Sequence, residues 1–133
     1  MQHAGTTILC VDDEANQLEL RRLMLEQVGY RVLTAESPVK AIEILRSDSI
    51  DLVIVDYFMP GMNGLSLARE ILRYKKLPII MLSAYGELPG ESIGAADVWI
   101  TKGAHPAELL NRLVELLSRY ADSRSDQGDS MNH

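Results

Sequence analysis

Five polar side chains stand where apolar runs of this sequence end. Asp12 and Asp13, followed by Glu14, come directly after Thr7–Val11; Asp56 follows Leu52–Val55; Ser83 follows Pro78–Leu82; Lys102 lies two residues beyond Val98–Ile100. Three acids, a hydroxyl and an amine could bind a divalent cation through oxygen and use a carboxylate as nucleophile. Each signal is ambiguous alone. Asp-Asp before a helix can be a cap with dipole-favourable charge, Asp56 can open a turn, and Ser83 and Lys102 can be ordinary loop residues. The joint arrangement is specific. Carboxylates gathered without a cation repel one another and raise at least one pKa, so a divalent ion completes the set. Oxygen-only ligands with room for water favour Mg²⁺ over Zn²⁺.

The elements that must position these groups alternate along the chain. Short apolar runs at Thr7–Val11, Arg31–Ala35, Leu52–Val55, Pro78–Leu82 and Val98–Ile100 have the length and composition of strands buried on both faces. Between them lie amphipathic stretches. Ala15–Val28 carries Leu18, Leu23, Leu25 and Val28 and stops at Gly29. Ser37 and Pro38 are an N-cap and first-turn pair for a helix through Arg46. Leu65–Arg73 and Pro106–Tyr120 are the remaining helices. Strands alternating with helices predict a doubly wound α/β fold around a parallel sheet, whose ligands bind beyond the carboxyl ends of the strands. The crossover from Ala84 to Ala96 is anomalous, because Pro89, Gly90 and Gly94 leave room for about one helical turn or none.

A length of 133 residues fits one domain, and 47% hydrophobic with 24% charged residues is ordinary for a globular chain. The net charge of −6 argues against a direct nucleic-acid grip. No apolar run approaches the ~20 residues that cross a bilayer. MQHAGTT lacks a secretory pattern, and Cys10 has no partner for an internal disulfide. The expected setting is cytoplasmic, with no membrane partner and Cys10 as a small buried hydrophobe. Residues 1–5 are expected to be flexible, 6–120 to form the domain, and 121–133 to be a disordered tail or linker stub.

The motifs ILCVDDE, DLVIVDYFMPGMNG, PIIMLSA and DVWITK occur in this order at the strand ends. Over about residues 6–119 the chain resembles the receiver domain of two-component response regulators. That resemblance implies a flavodoxin-like five-stranded sheet of order 2-1-3-4-5, here with the fourth helix short or absent. It implies that Asp56 accepts a phosphoryl group, that Asp13 and Asp56 hold Mg²⁺ with the backbone carbonyl of Phe58, and that Asp12 acts largely through water. Lys102 then contacts the phosphoryl oxygens, Ser83 hydrogen-bonds the group and reports its arrival, and Trp99 takes the place of the switch aromatic. Phe58 and Tyr85, two residues beyond Asp56 and Ser83, flank the group in the family; as large aromatics they are expected to shield the acyl phosphate. The chemistry agrees: a carboxylate is already ionised at pH 7, so no general base is needed, but charge on the transferring oxygens must be neutralised.

The expected partners are a histidine kinase or phosphotransfer protein and an output protein that the sequence does not identify. Such a domain catalyses its own phosphorylation and dephosphorylation but is a switch, not an enzyme. Two features depart from the family. Gly103 follows Lys102 where a proline on a cis bond is usual, so a trans bond is expected. The short crossover remodels the usual signalling face, so any homodimer would have a non-standard geometry. These departures favour the alternative, a receiver-like interaction module that does not use phosphorylation; the intact acids, serine and lysine oppose it. The absence of G-x-G-x-x-G after the first strand and the acidic rim speak against a flavin or dinucleotide protein on this topology.

Overall fold

The computed structural model describes residues 5–59, 61, 63–84 and 96–131, with side chains as far as Asp122. Five strands, β1 (Thr7–Val11), β2 (Arg31–Ala35), β3 (Leu52–Asp56), β4 (Ile79–Ser83) and β5 (Val98–Thr101), form one sheet. Every pairing is parallel, and the order is β2-β1-β3-β4-β5. The helices are α1 (Ala15–Gln27), α2 (Pro38–Ser47), α3 (Gly64–Tyr74) and α4 (Pro106–Met131). The three central strands are buried along their whole length. That burial explains why they read as continuous apolar runs and not as alternating ones.

Alternate strand residues feed two separate cores, as a period of two requires. Leu9, Val11, Val53, Val55, Ile79 and Met81 face one way and pack with Ala41 of α2 and Leu67, Ala68 and Ile71 of α3. Ile8, Cys10, Leu52, Ile54, Ile80 and Leu82 face the other way, against Leu18 and Leu25 of α1 and Leu109, Leu113 and Leu116 of α4. The leucine stripe of the last helix therefore faces the core, with Val114 left exposed. The order in which strands are added reverses at β1, which places a ligand crevice at the carboxyl ends of β1 and β3.

Local signals act where they stand in the sequence. The Ser37 hydroxyl accepts from Lys40 N–H at 3.2 Å, Asn63 Oδ1 accepts from Ser66 N–H at 2.8 Å, and Gly29 turns the chain at φ 104°. At the opposite edge, carboxylates receive the first amides of the strands: Asp51 accepts from Thr7 N–H and Asp97 from Ile79 N–H, both at 2.8 Å. The Tyr120 hydroxyl donates to Asp97 at 3.0 Å, and burial with that acid pushes the phenol up to about 12. His105 is a cap residue, its Nδ1 accepting from Ala107 N–H at 3.1 Å.

Three points differ from expectation. Leu23 on α1 and Val28 just past its end are exposed, and Arg21 is buried with Leu18 and Leu25. Strand β4 begins and ends one residue later than the apolar run suggests, because the proline before it has no amide to give a ladder. The backbone of α4 continues past Tyr120 to Met131, where an unstructured tail is expected; residues 121–131 hold no proline to stop the hydrogen-bond ladder. The shortened crossover falls on residues 85–95 and the flexible N-terminus largely on 1–4, both outside the described residues. No helix among those described is long and apolar enough to cross a membrane.

One glycine fixes the distance between α3 and the functional edge. Gly64 N–H donates to the Tyr57 carbonyl at 2.6 Å. A Cβ on Gly64 would overlap the Asp56 carbonyl oxygen and lie 2.8 Å from both Tyr57 Cα and Met81 Sδ. Gly64→Ala is therefore expected to destabilise the fold by about 1–3 kcal/mol through overpacking. Urea unfolding measures this, and an unchanged midpoint would show that α3 can retreat without penalty.

Candidate functional site

Backbone hydrogen bonds tie the first residues after β1, β3 and β5 to the neighbouring strands. Asp12 N–H donates to the Ala35 carbonyl at 3.1 Å, Tyr57 N–H to Leu82 at 2.8 Å, and Lys102 N–H to Ser83 at 2.8 Å. The loops after β1, β3 and β5 thus begin in fixed positions on a common rim. Asp12 is fully buried, Asp56 and Ser83 are almost so, and Asp13 is exposed. One carboxylate oxygen from each of Asp12, Asp13 and Asp56 lies within 4.8 Å of the others.

Lys102 closes the cluster. Its Nζ lies 3.1 Å from Asp56 Oδ1 and 3.6 Å from Asp12 Oδ2. The peptide bonds of the described residues are all trans, Lys102–Gly103 included. A turn in which Ala104 N–H donates to the Thr101 carbonyl at 2.9 Å delivers the lysine without the usual proline. Asp12 Oδ1 accepts from Glu14 N–H at 3.0 Å, while the buried Oδ2 has no hydrogen bond among the described residues. An all-oxygen donor set with one unsatisfied buried carboxylate oxygen fits a hard divalent cation.

Burial is the main cause that raises the Asp56 pKa above the ordinary carboxylate value; the Lys102 ammonium opposes it, and Asp12 and Asp13 add to it. Burial likewise pushes the Cys10 thiol up to about 12, which makes it an inert core residue. Trp99 packs with Tyr57, ring centroids 5.5 Å apart at 56°, against the core on the α2–α3 side of the sheet. Its indole Nε1 is buried with no hydrogen-bond partner among the described residues. Phe58 is 78% exposed at the rim. Tyr85 lies outside the described residues.

Residues 8–114 match the model of the response regulator receiver domain. The chain belongs to that family. The receiver is 40% identical over 129 residues to the phosphate regulon transcriptional regulatory protein PhoB of Pseudomonas aeruginosa, covering 92% of this chain and 56% of PhoB. It thus spans about half the length of that regulator. It is also similar to the response regulator TrrA of Thermotoga maritima, solved in complex with Mg²⁺ and BeF, at 40% identity and TM-score 0.78 over 84% of this chain and 98% of TrrA. The same similarity, 39% identical with TM-score 0.78 and again 84% and 98% coverage, holds for TrrA in its complex with the histidine kinase ThkA.

The structure brings Asp12, Asp13, Asp56 and Lys102 of this receiver together and sets Ser83 beside Lys102 on the rim. It adds two residues that motif spacing does not single out. Gly64 abuts the Asp56 main chain, and Arg21 Nη1 lies 3.6 Å from Asp12 Oδ2. Arg21 was legible only as a charged residue three after Leu18 and four before Leu25, inside the buried stripe of α1.

The raised Asp56 pKa carries a sign. A carboxyl whose folded pKa lies above its unfolded value favours the fold when protonated, and that contribution is lost as pH rises through the folded pKa. In divalent-free buffer at neutral pH, Asp56→Asn should therefore be more stable than the wild type. The gap should close as pH falls through the carboxylate range. Denaturant midpoints of both proteins across that range are the measurement; a wild type at least as stable at neutral pH would contradict it.

Proposed function

We propose that this receiver is a phosphorylation switch in which Asp56 accepts the phosphoryl group, with residues 6–120 as the working unit. The observation that carries this reading is Lys102 Nζ at 3.1 Å from Asp56 Oδ1, with Asp12 and Asp13 beside it on fixed strand ends. Asp12, Asp13, Asp56 and the Phe58 carbonyl would hold Mg²⁺. When bound, that ion supplies positive charge against the oxygens of the transferring group.

The chain's own residues account for the rest. The donor is a phosphohistidine of a kinase or phosphotransfer protein. An Asp56 carboxylate oxygen forms a bond to phosphorus as the P–N bond breaks, and the departing imidazole takes a proton from solvent. Lys102 exchanges its ion pair with Asp56 for one with the phosphoryl oxygens, so its charge is in place before the reaction. The Ser83 hydroxyl, at the next strand end, donates to the same group. Burial around Asp56 limits water at the acyl phosphate, and Phe58 stands at its margin. Once phosphorylated, the domain alters the binding of an output protein.

Intact mass after incubation with acetyl phosphate and Mg²⁺ tests the assignment. One phosphoryl adduct is expected on the wild type and none on Asp56→Asn. An adduct that persists on the mutant moves the acceptor elsewhere; a wild type without one favours the phosphorylation-independent interaction module.

Trp99 gives an optical reading of the switch, being the only tryptophan of the chain. Repacking of its indole against Tyr57 should change its fluorescence when Mg²⁺ and beryllium fluoride are added together. An unchanged spectrum under conditions where the mass adduct forms would remove Trp99 from the switch.

A further inference from the structure

Arg21 is the one buried cation among the described residues. With Leu18 and Leu25 it forms the buried face of α1, where an apolar side chain would pack without desolvating a charge. Its side chain is 9% exposed, and its Nη1 lies 3.6 Å from Asp12 Oδ2. Lys102 Nζ lies 3.6 Å from the same oxygen, on the β5 side. At that separation neither contact is a hydrogen bond, and Arg21 Nη1 and Asp12 Oδ2 both lack a hydrogen-bond partner among the described residues. The oxygen is flanked by two cations and saturated by neither. A cleft of about 170 Å³, lined by Gln17, Arg21, Lys102 and His105 among others, opens beside them.

We propose that Arg21 is a positioning residue of the divalent-ion site: a fixed counter-charge that acts through Asp12 and weakens the hold of the acidic cluster on the ion. This rests on the reading of Asp12, Asp13 and Asp56 as that site. The guanidinium of Arg21 is a fixed positive charge held by the packing of α1. Arg21 and Lys102 leave three clustered carboxylates with one uncompensated negative charge. Without Arg21 the deficit would be two, and a dication would be drawn in more strongly. Arg21 thereby trades ion affinity for a cluster that is tolerable when empty. Because it sits beneath Asp12 on α1, it acts on the ligand and does not touch the reacting group.

Titration of the full chain with Mg²⁺, followed by calorimetry, tests this. Arg21→Met is expected to tighten Mg²⁺ roughly tenfold, since one nearby positive charge is removed. Arg21→Lys, which restores the charge, should return the dissociation constant close to that of the wild type. If Arg21→Met does not fold, Arg21→Gln, polar but uncharged, should show the same tightening. A purely structural role would lower the thermal midpoint and leave the Mg²⁺ constant unmoved. That result in the charge-removing variants overturns the inference while the ion-site reading stands. A wild type that binds no Mg²⁺ overturns that reading, and the inference falls with it.

Discussion

The structure depends on holding like charges together at the edge of an apolar sheet. Three carboxylates converge within 4.8 Å at the ends of β1 and β3, two of them almost wholly out of water. Such a cluster is unfavourable unless the fold imposes it and cations relieve it. The fold imposes it through the sheet: both strands are fully buried, their register is fixed by apolar residues facing two cores, and the chain has no cheap way to turn the acids outward. Relief comes from β5 through Lys102 and from α1 through Arg21. Residues from four elements are thus tied to one electrostatic problem.

That arrangement explains the division of labour around the sheet. The central strands contribute acids and hydroxyl on short, rigid loops; the outer elements contribute the compensating cations. Aromatic packing lies to one side, where Tyr57 and Trp99 meet over the α2–α3 core. Lys102 pairs with Asp56 directly, and its backbone N–H donates a hydrogen bond to the Ser83 carbonyl, so the three residues are linked. The rim is a single connected structure, although its members are far apart in sequence.

Much of this was legible in the residues themselves. Strand-end positions exposed Asp12, Asp13, Asp56, Ser83 and Lys102, because a buried parallel strand is a short apolar run and its first polar residue marks the functional edge. Helix caps at Ser37 and the turn at Gly29 were equally plain, since local chemistry alone decides them. Arg21 was not, because periodicity counts an arginine as solvent-facing, and only the position of Asp12 in space shows what it is buried against. Leu23 was misleading because apolar residues stand on both faces of α1, and the buried face is the one with Leu18, Arg21 and Leu25. The end of α4 was hidden because a polar segment without proline carries no signal that distinguishes helix from coil. Gly103 in place of proline pointed to a trans bond after Lys102, and a tight turn on that trans bond brings Lys102 to Asp56.

The close seat of Gly64 against the Asp56 carbonyl has a mechanical side. A gap too small for one methyl group has no play in it. Motion of the last peptide of β3 meets the Gly64 main chain there, with the Met81 sulfur packed beside it. It is passed intact to the first turn of α3, or α3 stops it. The helix therefore stands as an end-stop for β3, directly behind the main chain that carries the Asp56 carboxylate.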